Sequence, residues 1–356
     1  MLRTGKQEDI LRIQNSFWDK SISYFTWGNG SMDMMLPNIT RAQLVVLAGS
    51  QGSGKTTWSI EMAKQNALKG KKEGFTCAYL SLEMDPERII KRAVERTLKI
   101  SKEDRRVGTM FDFEGLEEKK QESLEQIKAF IDTGLLVFPE NDNDEALATL
   151  EGIHALCNQS QGPSLLFIDN LAEIEASGIK DEYMRIDHIM RELHNTTRTT
   201  DTTIVLLHHM AKQKMGEPLT INSIKGNNIV VTKPDVVVAI DKHSASNFNW
   251  VCKWKNTKNE LIDPLIIKKF RSFAPRLDVR SVHIFKDRDY NMSGVAGYMR
   301  LVDGQIELLD SHGMKEEYPL IPDQQVKLAA TLEKYGLIAI DGGGKEVLNE
   351  AHLPWD

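Results

Sequence analysis

The octapeptide Gly49-Ser50-Gln51-Gly52-Ser53-Gly54-Lys55-Thr56 constrains this chain more than any other feature. It fits GxxxxGK[ST] at every fixed position, and Thr57 follows it. Residues 43–48 form a short apolar run that reads as a strand. Residues 55–68 carry Trp58, Ile60, Ala63 and Ala67 at helical spacing. The pattern requires this strand–loop–helix context. Glycines let backbone N–H groups turn inward around phosphates. Lys55 is suited to neutralise β- and γ-phosphate charge, Thr56 offers a hydroxyl to Mg²⁺, and the helix start adds its positive end. Residues 49–57 are therefore expected to bind ATP with Mg²⁺.

Downstream the pattern alternates. Residues 75–82, 135–138, 164–168, 203–207 and 235–240 read as strands. Residues 86–98 read as a helix opened by Pro86, and 101–133 as charged and mostly helical. Residues 144–158 read as a helix capped by Asp144, and 181–194 as one with Tyr183, Ile186, Met190 and Leu193 on one side. Residues 247–252 and 265–270 look like an antiparallel pair at a sheet edge. Such alternation predicts an α/β fold with a mostly parallel central sheet flanked by helices. We divide the chain into a lead-in over 1–40, an ATPase domain over 41–272 and a small acidic accessory region over 273–356.

The net charge is -6, which does not advertise a nucleic-acid binder, although a ring can gather its cations on one inner face. Residues 276–356 hold 9 Lys/Arg against 14 Asp/Glu, so the acidic surplus sits in the tail. Cys77, Cys157 and Cys252 show no paired spacing and read as buried free thiols of a reducing compartment. No signal peptide or membrane-length apolar run is present, so a cytoplasmic protein is expected, in the host cytoplasm if phage-encoded.

Three strands end on residues with chemistry. The strand at 77–82 ends at Glu83, where a carboxylate can orient a water for attack on a γ-phosphate. The bland alternative is a surface charge before Pro86. The apolar strand 165–168 ends at Asp169, a pattern that contacts Mg²⁺ directly or through water. The strand 203–207 ends in His208-His209, with no spacing partner for a zinc site. A polar strand tip there can sense the γ-phosphate. Lys212, Lys214 and Lys225 lie in a polar stretch that reads either as a solvated loop or as one tracking a phosphate backbone.

With these elements in place the chain resembles the RecA-like ATPase core of DnaB-type replicative helicases, including phage ones. The resemblance rests on "QLVVLAGSQGSGKTT", "AYLSLEMDPERIIKRAV", "LLFIDNL" and "VLLHHMAK". It implies that Glu83 is the catalytic glutamate and His209 the sensor. It also implies that Lys212, Lys214 and Lys225 belong to loops that hold single-stranded DNA. "INSIKGNNIVVTKPD" is similar to the family's Ser-Gly…Asp segment through Ser223, Gly226 and Asp235. "WVCKWKNTKNE" looks like its Lys-x-Arg-Asn-Gly element, which reaches a neighbour's γ-phosphate. Lys253 and Asn256 match, and Lys255 stands where arginine is usual. The collar domain of full-length bacterial members is not represented.

The function implied is an ATP-dependent helicase or translocase of DNA replication, working as a ring, most simply a homo-hexamer. Its partners would be single-stranded DNA and a primase or loader protein. A filament-forming recombination or annealing ATPase is the nearest alternative, favoured by the lysine pair. A protein-directed loading or regulatory ATPase is another.

Overall fold

The computed structural model describes residues 25–97, 116–138, 141–142, 145–211, 219–225, 228–242, 279–289, 291–302, 305–309, 338–340 and 346–348. Strand β1 (Leu44–Gly49) is followed by α2 (Lys55–Glu73), with a short α1 (Gly30–Met35) before it. Next come β2 (Cys77–Ser81), α3 (Pro86–Thr97), α4 (Leu116–Ile131), β3 (Leu136–Phe138) and the two-residue strands β4 (Asn141–Asp142) and β5 (Glu145–Ala146). Then follow α5 (Leu150–Cys157), β6 (Leu165–Asp169), α6 (Glu182–Thr200), β7 (Thr203–His209), α7 (Ile229–Thr232) and β8 (Val236–Lys242). The antiparallel strands β9 (Val279–Asp287), β10 (Gly294–Val302) and β11 (Gln305–Leu309) complete the sheet.

The nine-stranded sheet runs β11-β10-β9-β8-β1-β7-β6-β2-β3. Every pairing from β8 to β3 is parallel, and those of β9, β10 and β11 are antiparallel. The sheet is therefore mixed. The parallel strands are covered on both faces, so β1, β2 and β6 are buried along their whole lengths, and β2 and β6 read as apolar runs closed by the polar Ser81 and Asp169. One face packs Leu44, Val46 and Ala48 against α5 and α6 residues such as Ile153, Ile189 and Leu193. The other packs Val45 and Leu47 against Trp58 and Ala63 of α2 and Ile89 of α3.

Several expectations are corrected here. The helix expected over 144–158 begins at Leu150 and is capped by Thr149, whose side chain accepts from Gly152 N. Asp144 itself lies outside the described residues. Helix α6 runs to Thr200, six residues past the expected end, and Tyr183 is exposed rather than on its apolar side. The edge pair expected at 247–252 and 265–270 also falls outside the described residues. The strands that do extend the sheet come from 279–309, beyond the expected boundary at 272, and join it through β9, which pairs with β8 across one register shift between Val237 and Val238. At the other end, Phe25, Trp27 and Met32 of the expected lead-in are buried in the same core as α2. The Trp58 indole donates to Trp27 O at 2.7 Å, and Asn66 grips both backbone groups of Thr26.

Candidate functional site: the C-terminal edge of the parallel strands

The register brings the strand tips into line. Gly49 at the end of β1 lies opposite His209 of β7 and Ile240 of β8, and Ser81 at the end of β2 lies opposite Asp169 of β6. Lys55, Thr56, Glu83, Asp169 and His209, far apart in sequence, therefore share one edge, where open α/β sheets hold their ligands.

Helix α2 opens at Gly54, whose φ of 101° is left-handed, and no side chain caps the first turn. A helix start without a side-chain cap offers N–H groups to an anion. Gly49 is required for a different reason: a Cβ there would meet Ser53 Oγ at 2.5 Å and Ile240 O at 2.9 Å. The Lys55 ammonium donates to Gly49 O at 2.7 Å and Ser50 O at 3.2 Å, folded over the loop. Burial pushes its pKa down, against the opposing pull of Asp169 and Glu83.

The Thr56 hydroxyl donates to Asp169 Oδ2 at 2.9 Å, and the Tyr79 hydroxyl donates to the same oxygen at 3.0 Å. The Tyr79 hydroxyl also lies 2.9 Å from Ser59 Oγ, whose single proton is shared between Tyr79 and Thr56 O at 3.1 Å. Asp169 is 2% exposed, and burial raises its pKa while the hydroxyls of Thr56 and Tyr79 hold it down. Thr56 and Asp169 thus form a pair of hard oxygens beside a helix start with no side-chain cap. That donor set fits Mg²⁺, which takes one or two protein oxygens and completes its shell with phosphate and water. Among the described residues no cluster of three or more His, Cys, Asp or Glu is placed to hold a metal by itself.

Glu83 projects from the turn after β2 with its side chain about half exposed. Asn170 Nδ2 donates to Glu83 Oε2 at 2.8 Å and lies 3.3 Å from His209 Nε2, while Asn170 Oδ1 accepts from Ala172 N. The Asp169–Asn170 peptide is cis. On its other side His209 Nδ1 lies 3.4 Å from Lys55 Nζ. A chain of contacts thus runs from the Glu83 carboxylate to the loop lysine. A neutral imidazole has one accepting nitrogen, so His209 accepts from either Lys55 or Asn170, and its tautomer selects which. Burial first, and the Lys55 charge second, lower the His209 pKa, which favours the neutral ring.

The neighbouring histidine turns the other way. His208 is buried, and its Nε2 lies 2.5 Å from Lys225 O. Lys225 N in turn donates to His209 O at 3.3 Å, and Ala211 N to Ser223 O at 2.9 Å. The two histidines therefore divide the work: His209 faces the loop lysine and Asn170, and His208 pins the backbone of Lys225. Burial lowers the His208 pKa to about 4, well below the 6.5 of an exposed ring. The unfolded chain then binds the extra proton between those values, so stability is full above pH 6.5 and falls as pH drops towards 4. His208→Asn is expected to flatten the loss of thermal stability between about pH 7 and pH 5, read from melting curves.

Not every expected residue is placed. Lys212, Lys214, Lys253 and Lys255 lie outside the described residues, as does Gly226. Lys225 is exposed, with Nζ 3.5 Å from Glu182 Oε1. Asp235 Oδ2 accepts from Leu44 N, which anchors the start of β1. Tyr79 and Arg280 escaped the sequence reading. Tyr79 carried a signal, since it lies on a strand whose end was already singled out. Arg280, whose Nε donates to Ser53 O at 2.6 Å, carried none. A Lys-x-Arg spacing, Lys286-Asp287-Arg288, emerges at the end of β9. The Arg288 guanidinium donates to Asp235 Oδ1 at 2.7 Å, and the Lys286 pKa is lowered to about 8, mainly by burial. Asp287 lies opposite Val236, at the start of β8, so this pair sits at the sheet edge away from its own phosphate loop.

Among solved structures, the chain is similar to one described as an ATPase domain (TM-score 0.62, 16% identity, covering 87% of this chain and all of that one). It is also similar to a structure described as a DnaB-like replicative helicase and its interactions with primase (TM-score 0.60, 16% identity, 86% of this chain and 67% of that one). Among curated proteins, replicative DNA helicase DnaC of Bacillus subtilis (strain 168) is 23% identical over 273 residues, 74% of this chain and 55% of that protein. The chain thus spans about half the length of that relative. The family described as the DnaB-like helicase C terminal domain matches residues 26–276, most of the chain. The chain belongs to that family, and its mixed sheet flanked by helices has the RecA-like fold of such ATPase domains.

Proposed function

We propose that the chain is the ATP-hydrolysing motor of a helicase or translocase that moves on single-stranded DNA. The observation that carries this reading is the double tie of Lys225 to His208 and His209, which links a cationic loop to the edge holding Lys55 and Glu83. The phosphate loop binds the triphosphate, with Thr56 and Asp169 as the residues that would hold Mg²⁺. The ion, when bound, neutralises phosphate charge. Glu83, steadied by Asn170, takes the proton of the attacking water, and His209 reports the γ-phosphate to the Lys225 backbone. Gly49, Ser50, Gln51, Gly52, Ser53, Gly54 and Thr57 complete the cradle. Lys212 and Lys214 join Lys225 on the DNA.

The working form proposed is a closed ring, most simply a hexamer, with each site completed by a neighbour's cation. Lys253 and Lys255 are one candidate pair. Lys286 and Arg288 are the other, favoured by the arginine itself, whose planar fork suits phosphate, and by their place on the far sheet edge. A primase or loader protein is the proposed protein partner, in keeping with the primase interactions described for the similar structure.

Strand displacement on forked DNA with ATP tests the reading, alongside particle shape by electron microscopy. ATPase activity without single-stranded DNA binding would support a protein-directed motor, and long filaments a recombination-type one. Replacing Lys225 by Ala is expected to weaken single-stranded DNA binding at low salt and flatten log K against log salt by about 0.7, the share of one phosphate contact. An unchanged slope would place the DNA on another surface.

A further inference from the structure

Arg280 is the first residue of β9 whose side chain is described, and it is 4% exposed. It alternates with Val282 and Ile284, which belong to the α2 side of the core. A guanidinium is always charged, and burying it is costly unless its N–H groups are matched. Here Nε donates at 2.6 Å to the carbonyl of Ser53, inside the phosphate loop and 227 residues away in sequence.

We propose that Arg280 is a positioning residue that holds the phosphate loop in its nucleotide-binding shape and thereby sets affinity for the triphosphate. The inference rests on the ATPase reading above. Its basis is peptide geometry. Ser53 O and Gly54 N–H belong to one planar trans peptide and point in opposite directions. A donor fixed on the carbonyl edge therefore fixes the N–H edge towards the other side, away from Arg280. Within the loop, Ser53 N donates to Ser50 O at 3.1 Å and Trp58 N to Gly54 O at 2.8 Å, which holds the peptides on either side and leaves the Ser53 carbonyl to Arg280. Gly52 and Gly54 adopt left-handed φ values of 72° and 101°, and a Cβ at Gly52 would meet nothing within 4 Å. Glycines of this kind have many conformations to lose. The Ser53 hydroxyl is buried without a hydrogen-bond partner, so the loop's own side chain does not hold it.

Two cations grip the loop. Lys55 holds Gly49 O and Ser50 O, but a triphosphate competes for the same ammonium. The Arg280 contact lies on the Ser53 carbonyl and persists when Lys55 turns to phosphate. Its strand is anchored in the sheet: β9 is paired to β8 from Arg280 opposite Lys242 to Asp287 opposite Val236, with one register shift between Val237 and Val238, and β8 is paired to β1, the strand that leads into the loop.

The test compares Arg280→Ala, Arg280→Met and Arg280→Gln with Arg280→Lys, each by thermal melting, by ADP titration and by steady-state ATPase. Loss of one charge-assisted hydrogen bond on the loop is expected to weaken ADP and raise KM for ATP by roughly ten- to a hundredfold, with a smaller change in kcat. Arg280→Lys, which keeps a charged donor, is expected to recover most of the affinity lost by Arg280→Met. A merely structural arginine would lower the melting temperature and leave ADP affinity of the folded protein unchanged, with Lys no better than Met. That result overturns the proposal, and so does failure of all three neutral variants to fold. A wild-type protein that bound neither ADP nor ATP would instead sink the ATPase reading, before the arginine came into question.

Discussion

Glu83→Gln is expected to slow ATP turnover by about 10²–10⁴-fold while leaving nucleotide affinity close to that of the wild type. The change is nearly isosteric. Glutamine keeps an oxygen that can accept from Asn170 Nδ2, now 2.8 Å from Glu83 Oε2, so the side chain stays where it is. It loses only the ability to take a proton from water. The residues assigned to ground-state binding stay in place, because the hydrogen bonds of Lys55, Thr56 and Asp169 go to partners other than Glu83. Steady-state ATPase, with a separate titration of nucleotide, checks this. Near-normal turnover would remove Glu83 from the mechanism.

A comparable loss is expected for Arg288→Ala, and here the decisive reading is recovery in mixtures. Within its own chain Arg288 follows Asp287, the partner of Val236, whereas the phosphate loop follows Gly49, the partner of Ile240. Those positions are separated by roughly 15 Å along the strands. Arg288 thus sits away from its own phosphate loop, which is why its proposed role is in another copy. Lys55→Ala and Arg288→Ala should each be nearly inactive alone. Mixed at equal amounts, about a quarter of the interfaces in a ring pair an intact loop with an intact arginine, so part of the ATPase activity should return. The Arg288→Ala protein must melt like the wild type, since Arg288 also pairs with Asp235. If Arg288→Ala alone stays active and Lys255→Ala complements Lys55→Ala, the completing cations are Lys253 and Lys255. If subunits exchange and neither variant complements, completion in trans is wrong. DNA-independent turnover should be scored first, because it makes the weakest demand for coordination around the ring.

Much of this site was legible in the chain because its parts are local. The phosphate loop is a contiguous pattern bounded by a strand and a helix; in the structure Gly54 is left-handed, Gly49 has no room for a Cβ, and Lys55 folds back over the loop. Glu83 and Asp169 were singled out because parallel strands end at one edge, so a polar residue closing an apolar run marks that edge, whereas the choice of His209 over His208 came from the family resemblance. Helix limits were less legible. Asp144 and Thr149 are both good caps by type, and only the packed structure selects Thr149.

The sequence by itself determined the α/β alternation, the phosphate loop and the identity of the carboxylates beside it, because each is written in neighbouring residues and their period. Tertiary structure alone decided which strands extend the sheet past β8, that Asn170 ties Glu83 to His209, and that Lys225 is pinned by His208. It alone placed Arg280 on the carbonyl of Ser53. These are contacts between segments far apart in the chain, fixed by strand register. Register follows from how two apolar faces fit together, which no single segment records.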